Sequence, residues 1–264
     1  MKIVFIITLL LLILGCGGSS KSNDQILPET PPTSSEELSE RLPISDNRES
    51  EQLDILMIGN SHTGSVGRLL RIIFDNVEER QSKVLTLFGA HLDDTVTKID
   101  NINTFNDNVW SHVILQGQKY SQSQAKLYPT DAAKIWIQRI KAKTATPVLF
   151  PEHPQKGSST EAEYVHGIHR RIATQEPSCV APVGLAWELV LEIQPQIELH
   201  SVDGNHASKL GSFLSALVIF EVITGKSADS IPYMEVFPGD EMTQDLFGLM
   251  ASTAVLENLS CYES

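Results

Sequence analysis

From residue 53 onward the chain alternates between two kinds of stretch, and that alternation limits the folds open to it. Short apolar runs of four to six residues, Leu53–Ile58 (LDILMI), Val84–Phe88, His112–Leu115 and Pro147–Phe150, are separated by longer amphipathic segments. Runs this short and apolar read as strands buried inside a parallel sheet, with the longer segments as crossover helices. Residues 66–77 bear this out locally, because Val66, Leu69, Leu70, Ile73, Phe74 and Val77 fall on one helical face. Residues 129–143, 160–176 and 184–194 read as further helices, and 207–225 has the apolar periodicity of a long packed helix. The order predicts one three-layer α/β/α domain over residues 52–264. A composition of 41% hydrophobic and 20% charged residues suffices for a core of that size.

The first 51 residues are of a different kind. Lys2 precedes an apolar run from Ile3 to Leu14 that stops at Gly15-Cys16-Gly17-Gly18. A charged start, a short apolar stretch and small residues at its end form an export signal, and the run is too short to span a bilayer, which takes about 20 apolar residues. Ile13-Leu14-Gly15-Cys16 resembles the lipobox of bacterial lipoproteins. That resemblance implies a signal peptide over 1–15, lipidation of Cys16, and a membrane partner reached through the anchor. For a Gram-negative source, Gly17 after the cysteine favours the outer membrane, facing the periplasm, over the inner one. A plain secretory signal with a chance cysteine is the alternative. Residues 16–51, rich in Ser, Pro, Glu and Asp, read as a flexible tether.

Charge and cysteines add two expectations. The formal charge of −13 and the lack of a basic patch disfavour nucleic acid, and no nucleic-acid partner is expected. With Cys16 taken by lipid, Cys179 and Cys261 remain as a candidate disulfide in an oxidising compartment, two buried thiols being the alternative. Oligomeric state is not readable from the sequence.

Ligands of open parallel sheets collect at the carboxyl ends of the strands. The first strand ends in Gly59-Asn60-Ser61-His62-Thr63-Gly64 and runs directly into a helix. A serine there exposes its hydroxyl beside free helix N–H groups, which suits a nucleophile and a developing oxyanion, although Ser61 or Thr63 could equally be a helix cap. The second place is Ser201-Val202-Asp203-Gly204-Asn205-His206, just before the long apolar helix. A serine hydroxyl needs an imidazole to take its proton, and the imidazole needs a partner to fix its tautomer. His206 and Asp203, three apart, can supply both.

Together these blocks resemble the SGNH (GDSL-like) hydrolases, with IGNSHTGS in place of the GDS block and DGNHASKLGSFLSA in place of the DxxH block. The resemblance covers roughly residues 53–225. It implies a flavodoxin-like sheet, Ser61 as nucleophile, His206 as general base and acid, and Asp203 as the orienting carboxylate. In the family the oxyanion hole is completed by a glycine N–H after strand two, here Gly89, and by an asparagine after strand three. That asparagine is missing: Gln116-Gly117-Gln118 follows the HVIL strand, so Gln116 and Gln118 become the amide candidates of a Gln-type variant. The G-x-S-x-G elbow of α/β-hydrolases fits less well, since the last glycine is absent and Asp and His lie close in sequence.

His62 and His153 are candidates for the pocket wall. His200, Asp203 and His206 also have zinc-ligand types, but a base for Ser61 cannot at once bind metal, so no metal or organic cofactor is expected. The resemblance implies a serine esterase acting on a small-molecule or glycan ester, acetyl groups on envelope or dietary polysaccharides among them. The alternative is a lipoprotein that keeps the fold without the chemistry and binds glycans. An aromatic content of 6% gives no sign of an extended sugar-stacking platform.

Overall fold

The computed structural model describes residues 42–258 and Cys261. The signal peptide, Cys16 and the tether up to residue 41 lie outside the described residues. In chain order the elements are β1 (Gln52–Gly59), α1 (Ser61–Val77), β2 (Gln81–Phe88), α2 (Leu92–Thr95), α3 (Ile99–Asn106), β3 (His112–Leu115), α4 (Asp131–Ala142), β4 (Thr146–Leu149), α5 (Glu161–Gln175), β5 (Cys179–Val180), α6 (Val183–Ile193), α7 (Lys209–Thr224) and α8 (Glu241–Glu257). No helix among the described residues is long and apolar enough to cross a membrane.

The five strands are parallel and lie in the order β2-β1-β3-β4-β5, the flavodoxin-like order. Strand alternation divides the core into two layers. Leu53, Ile55 and Met57 of β1 face α1, α6 and α7, whereas Leu56 and Ile58 face the layer that contains Phe105, Trp136 and Ile137. Ile114 and Val148 go to the first layer and Leu115 and Leu149 to the second, so β3 and β4 keep the same register of faces.

Helix α7 explains a feature of the sequence that a three-layer scheme leaves open. Thirteen of its sixteen residues are buried, so it is covered on its outer side as well as its inner one. The cover is α8, which packs on α6 and α7 and forms an additional outer layer. Sequence reading missed α8, although Asp240 accepts a hydrogen bond from Thr243 N–H at 3.0 Å as its N-cap and Phe247, Met250, Ala251 and Ala254 are its buried face. Helices α2 and α3 and the two-residue β5 were also missed, all being too short to show a period.

The domain starts earlier than the tether reading puts it. Within residues 42–51, Ile44 packs against the core and the Asn47 amide donates to the Thr144 carbonyl at 2.9 Å and to Thr146 Oγ1 at 3.0 Å. Arg80 Nη1 donates to the carbonyls of Arg48 and Ser50 at 2.6 and 3.1 Å. Composition hid this docking because it runs through polar groups. At the other end, Cys179 of β5 and Cys261 beyond α8 form a disulfide across 82 residues. A loop of that length is worth about 4 kcal/mol in the chain-entropy picture, and it ties the outermost helix to the sheet edge.

Candidate active site

The carboxyl end of β1 lies at the point where the strand order reverses, with β2 on one side and β3 on the other. Gly59 has no room for a side chain here: a Cβ would run into Thr63 and into the Gln116 amide. The chain then turns at Asn60, whose carboxamide oxygen accepts from His62 N–H at 3.0 Å and so caps α1. Ser61 is the first residue of that helix and is exposed.

The second half of the site is a closed turn ahead of α7. Ser201 N–H donates to the His206 carbonyl at 2.7 Å, Ser208 N–H donates to the Leu199 carbonyl at 2.8 Å, and Gly204 takes the left-handed conformation at φ 71° between them. Asp203 Oδ1 collects Ser201 Oγ at 2.7 Å and the N–H groups of Asn205 and His206 at 3.0 Å each. Ser208 caps α7 by accepting from Gly211 N–H, and Gly211 lies so close to the Leu199 carbonyl and the Trp187 ring that no Cβ fits. Packing of α7 on α1, with Ser65 Oγ and Ser212 Oγ 2.8 Å apart between them, brings the two halves together.

They meet at Ser61 and His206, whose Oγ and Nε2 atoms are 2.8 Å apart, while His206 Nδ1 is 2.6 Å from Asp203 Oδ2. A carboxylate can only accept, so Nδ1 carries the proton and the Nε2 lone pair faces the Ser61 hydroxyl. Hydrogen bonds from the His206 ring, and then from its backbone N–H and from Ser201, hold the Asp203 carboxyl well below the usual carboxylate range. All three residues singled out from sequence therefore come together with the spacing that proton removal from Ser61 requires.

Beside them the His62 ring stacks on His206 with centroids 5.0 Å apart. His153 meets His62 edge-on and stacks on Trp187 at 3.9 Å. Burial, reinforced by the neighbouring His206, pushes His62 down to about 4, and burial pushes His153 down to about 3. Both rings are thus neutral near pH 7. His153 Nε2 lies 3.0 Å from the Asn205 carbonyl and pins the DxxH turn. It does not reach the cleft, which corrects its pocket assignment, whereas His62 does line it. His200 points Nε2 at the Pro154 carbonyl, 2.8 Å away, so the zinc alternative does not describe this turn.

The expected oxyanion donors fare differently. Gly89 N–H is spent on the Gly59 carbonyl at 2.8 Å, and Gly89 lacks a side chain because Thr95 packs against it. Gln118 gives its amide hydrogens to the carbonyls of Lys119 and Pro129, each at 3.0 Å. Gln116 is fully buried: its Oε1 accepts from Asn60 N–H at 2.9 Å, and its Nε2 donates to Glu152 at 2.5 Å. Gln116 is therefore a clamp on the nucleophile turn rather than a donor to substrate. Among the described residues, Ser61 N–H, Gly117 N–H and the second amide hydrogen of Asn60 have no protein partner. Gly117 sits beside the Asn60 amide at φ 94°, and both line the cleft.

Sequence reading did not single out Glu152. It lines a cleft of about 550 Å³ whose wall also includes Asn60, His62, Gly117, Tyr120 and Asn205, the neighbours of Ser61 and His206 rather than those two residues themselves. Tyr120 has one proton, which it gives to Glu161 at 2.7 Å, and Glu161 also accepts Gln155 N–H at 2.7 Å. Burial pushes the Glu152 carboxyl up, while the neighbouring Tyr120 and Gln116 pull it the other way.

Comparison with solved structures places this architecture. A DUF4886 family protein from Bacteroides uniformis superposes with a TM-score of 0.60 at 15% identity, over 80% of this chain and 98% of that one. A candidate SGNH hydrolase from Slackia heliotrinireducens does so with a TM-score of 0.50 at 21% identity, over 65% and 99%. The chain has the SGNH hydrolase fold. A lipase/acylhydrolase from Enterococcus faecalis shares that SGNH architecture with a TM-score of 0.51 at 13% identity, over 66% and 96%. At these identities the likeness is one of fold. No family model matches the chain, and no curated protein does.

The hydrogen-bond pattern around Glu152 predicts how two substitutions differ. Glu152→Gln keeps an oxygen that accepts from Gln116, so its urea midpoint should stay near that of the parent chain. Glu152→Ala leaves the Gln116 amide unpaired in a buried place and should lose about 1–3 kcal/mol. Equal damage from both would mean that the Gln116 contact is not what Glu152 contributes to stability.

Proposed function

We propose that this chain is a serine esterase that cleaves carboxylic esters through an acyl-enzyme. The observation that carries the reading is the continuous Ser61–His206–Asp203 line, at 2.8 and 2.6 Å, on an exposed serine at the start of a helix. Ser61 Oγ attacks the ester carbonyl carbon while His206 Nε2 takes its proton, and Asp203 supports the imidazolium. Negative charge grows on the carbonyl oxygen beside Ser61 N–H, Gly117 N–H and the Asn60 amide, with the N-terminal end of α1 adding its dipole. His206 then returns the proton to the departing alcohol, and water, activated by the same imidazole, releases the acid.

Acetyl esters on envelope or dietary glycans suit the cleft, whose lining groups are mostly hydroxyls, amides and charged side chains. The envelope address rests on Lys2, the Ile3–Leu14 run and Cys16. It gains support from the Cys179–Cys261 disulfide, which persists in an oxidising compartment. Expressed in a bacterial host with a clickable fatty acid, the full chain should take up label that Cys16→Ser abolishes; label retained in the variant would overturn lipidation at Cys16.

Hydrolysis of p-nitrophenyl acetate and longer p-nitrophenyl esters by the full chain and by Ser61→Ala tests the chemistry. Turnover of the acetate ester should fall by at least about 10³-fold in the variant. Equal rates in the two proteins would refute the mechanism, and a preference for long acyl chains would replace the acetyl reading.

A further inference from the structure

The cleft beside Ser61 does not end at its far wall. Lys119, Tyr120 and Tyr128, which line it, also line a second cavity of about 270 Å³ that reaches α5. The composition of that second wall departs from the chain as a whole. The protein has 33 acidic and 20 basic residues, yet among the described residues no carboxylate lines the cavity, whereas Lys119, Lys126 and Arg171 do. Three of the five tyrosines, Tyr120, Tyr128 and Tyr164, are there too.

The state of these groups says what they are free to bind. Lys119 is already neutralised by Asp93 at 2.6 Å. Lys126 has its ammonium 4.7 Å above the Tyr128 ring, and among the described residues neither Lys126 nor Arg171 is in an ion pair. The Tyr164 hydroxyl is buried without a hydrogen-bond partner, a cost that a ligand oxygen would offset. Two cations without carboxylate partners and an unsatisfied phenol call for an anionic ligand rich in oxygen. Tyrosine rings suit the flat apolar faces of sugar rings, and a fatty acyl chain would want neither the hydroxyl nor the cations. A local cationic wall is also what a chain of charge −13 needs if it is to hold an acidic substrate against its own repulsion.

We infer that the second cavity is a subsite for an acidic sugar, continuous with the ester cleft, with Arg171 and Lys126 pairing the carboxylate of a uronic acid unit. The inference rests on the esterase reading and names its substrate class: an acyl ester carried on a uronate-containing glycan.

The test is a binding measurement that does not depend on turnover. By calorimetry, the Ser61→Ala full chain in detergent should bind trigalacturonate about tenfold more tightly than the neutral xylotriose. Adding Arg171→Gln and Lys126→Gln should lower the affinity for trigalacturonate to that for xylotriose, with the xylotriose affinity unchanged. Equal affinities before the substitutions, no binding of either sugar, or a preference that survives the double substitution would overturn the subsite. Because ester hydrolysis is not the readout, a chain that binds the acidic sugar but cleaves no p-nitrophenyl ester would sink the esterase reading and leave the subsite standing.

Discussion

The packing of α1 against α7 is the contact on which the candidate site depends. Each helix starts at one half of the site, Ser61 opening α1 and the Asp203–His206 turn leading into α7, so their mutual position sets the distance between Ser61 Oγ and His206 Nε2. Several features hold that position. Ser65 and Ser212 hydrogen-bond between the helices, Gly211 lets the Leu199 carbonyl and Trp187 approach α7 closely, and α8 covers the side of α7 that would otherwise be wet. Trp187 also donates from Nε1 to Ser215 Oγ at 3.0 Å and carries His153 on its face, which links the core to the ring stack behind His206. A proton-transfer pair works only if its geometry is kept by neighbours that cannot relax, and here those neighbours are core residues.

What was legible in the sequence followed the same logic. The strands Leu53–Ile58 and His112–Leu115 were readable because burial on both faces leaves mostly apolar residues, the edge strand Val84–Phe88 because its run is apolar although only half-buried, and α1 because one face of it is apolar. Ser61, Asp203 and His206 were readable because Ser61 directly follows a strand, Asp203 and His206 lead into a helix, and their types fit one reaction. Gly89 and Gln116 were misread for a physical reason: position after a strand says that a polar group is near the site, not which partner already has it. Gly89 N–H belongs to the sheet and the Gln116 amide to Asn60 and Glu152. Glu152 itself gave no local signal, since the surroundings of a buried carboxyl are set by Gln116 and Tyr120, which are 36 and 32 residues away in sequence.

The glutamine after β3 therefore changes the roles around the nucleophile. Gln116 fixes the turn through its carbonyl oxygen, and Glu152 fixes Gln116 from behind. The donors left open to a developing oxyanion are then mainly backbone groups, Ser61 N–H and Gly117 N–H, joined by the Asn60 amide. Backbone donors of this kind are held by the fold and need no reorganisation as charge appears. On the proposed mechanism, the departure from the usual asparagine leaves the oxyanion to backbone donors and ties the nucleophile turn to a buried polar network.

The most direct test of this account is to map a fluorophosphonate adduct by mass spectrometry, since the reagent reports an activated serine whatever the natural ester is. The account predicts a single adduct on Ser61 in the full chain and its loss in His206→Ala. A chain that leaves the reagent untouched, or that carries the adduct on another serine, would contradict the assignment of Ser61, His206 and Asp203 as a working triad.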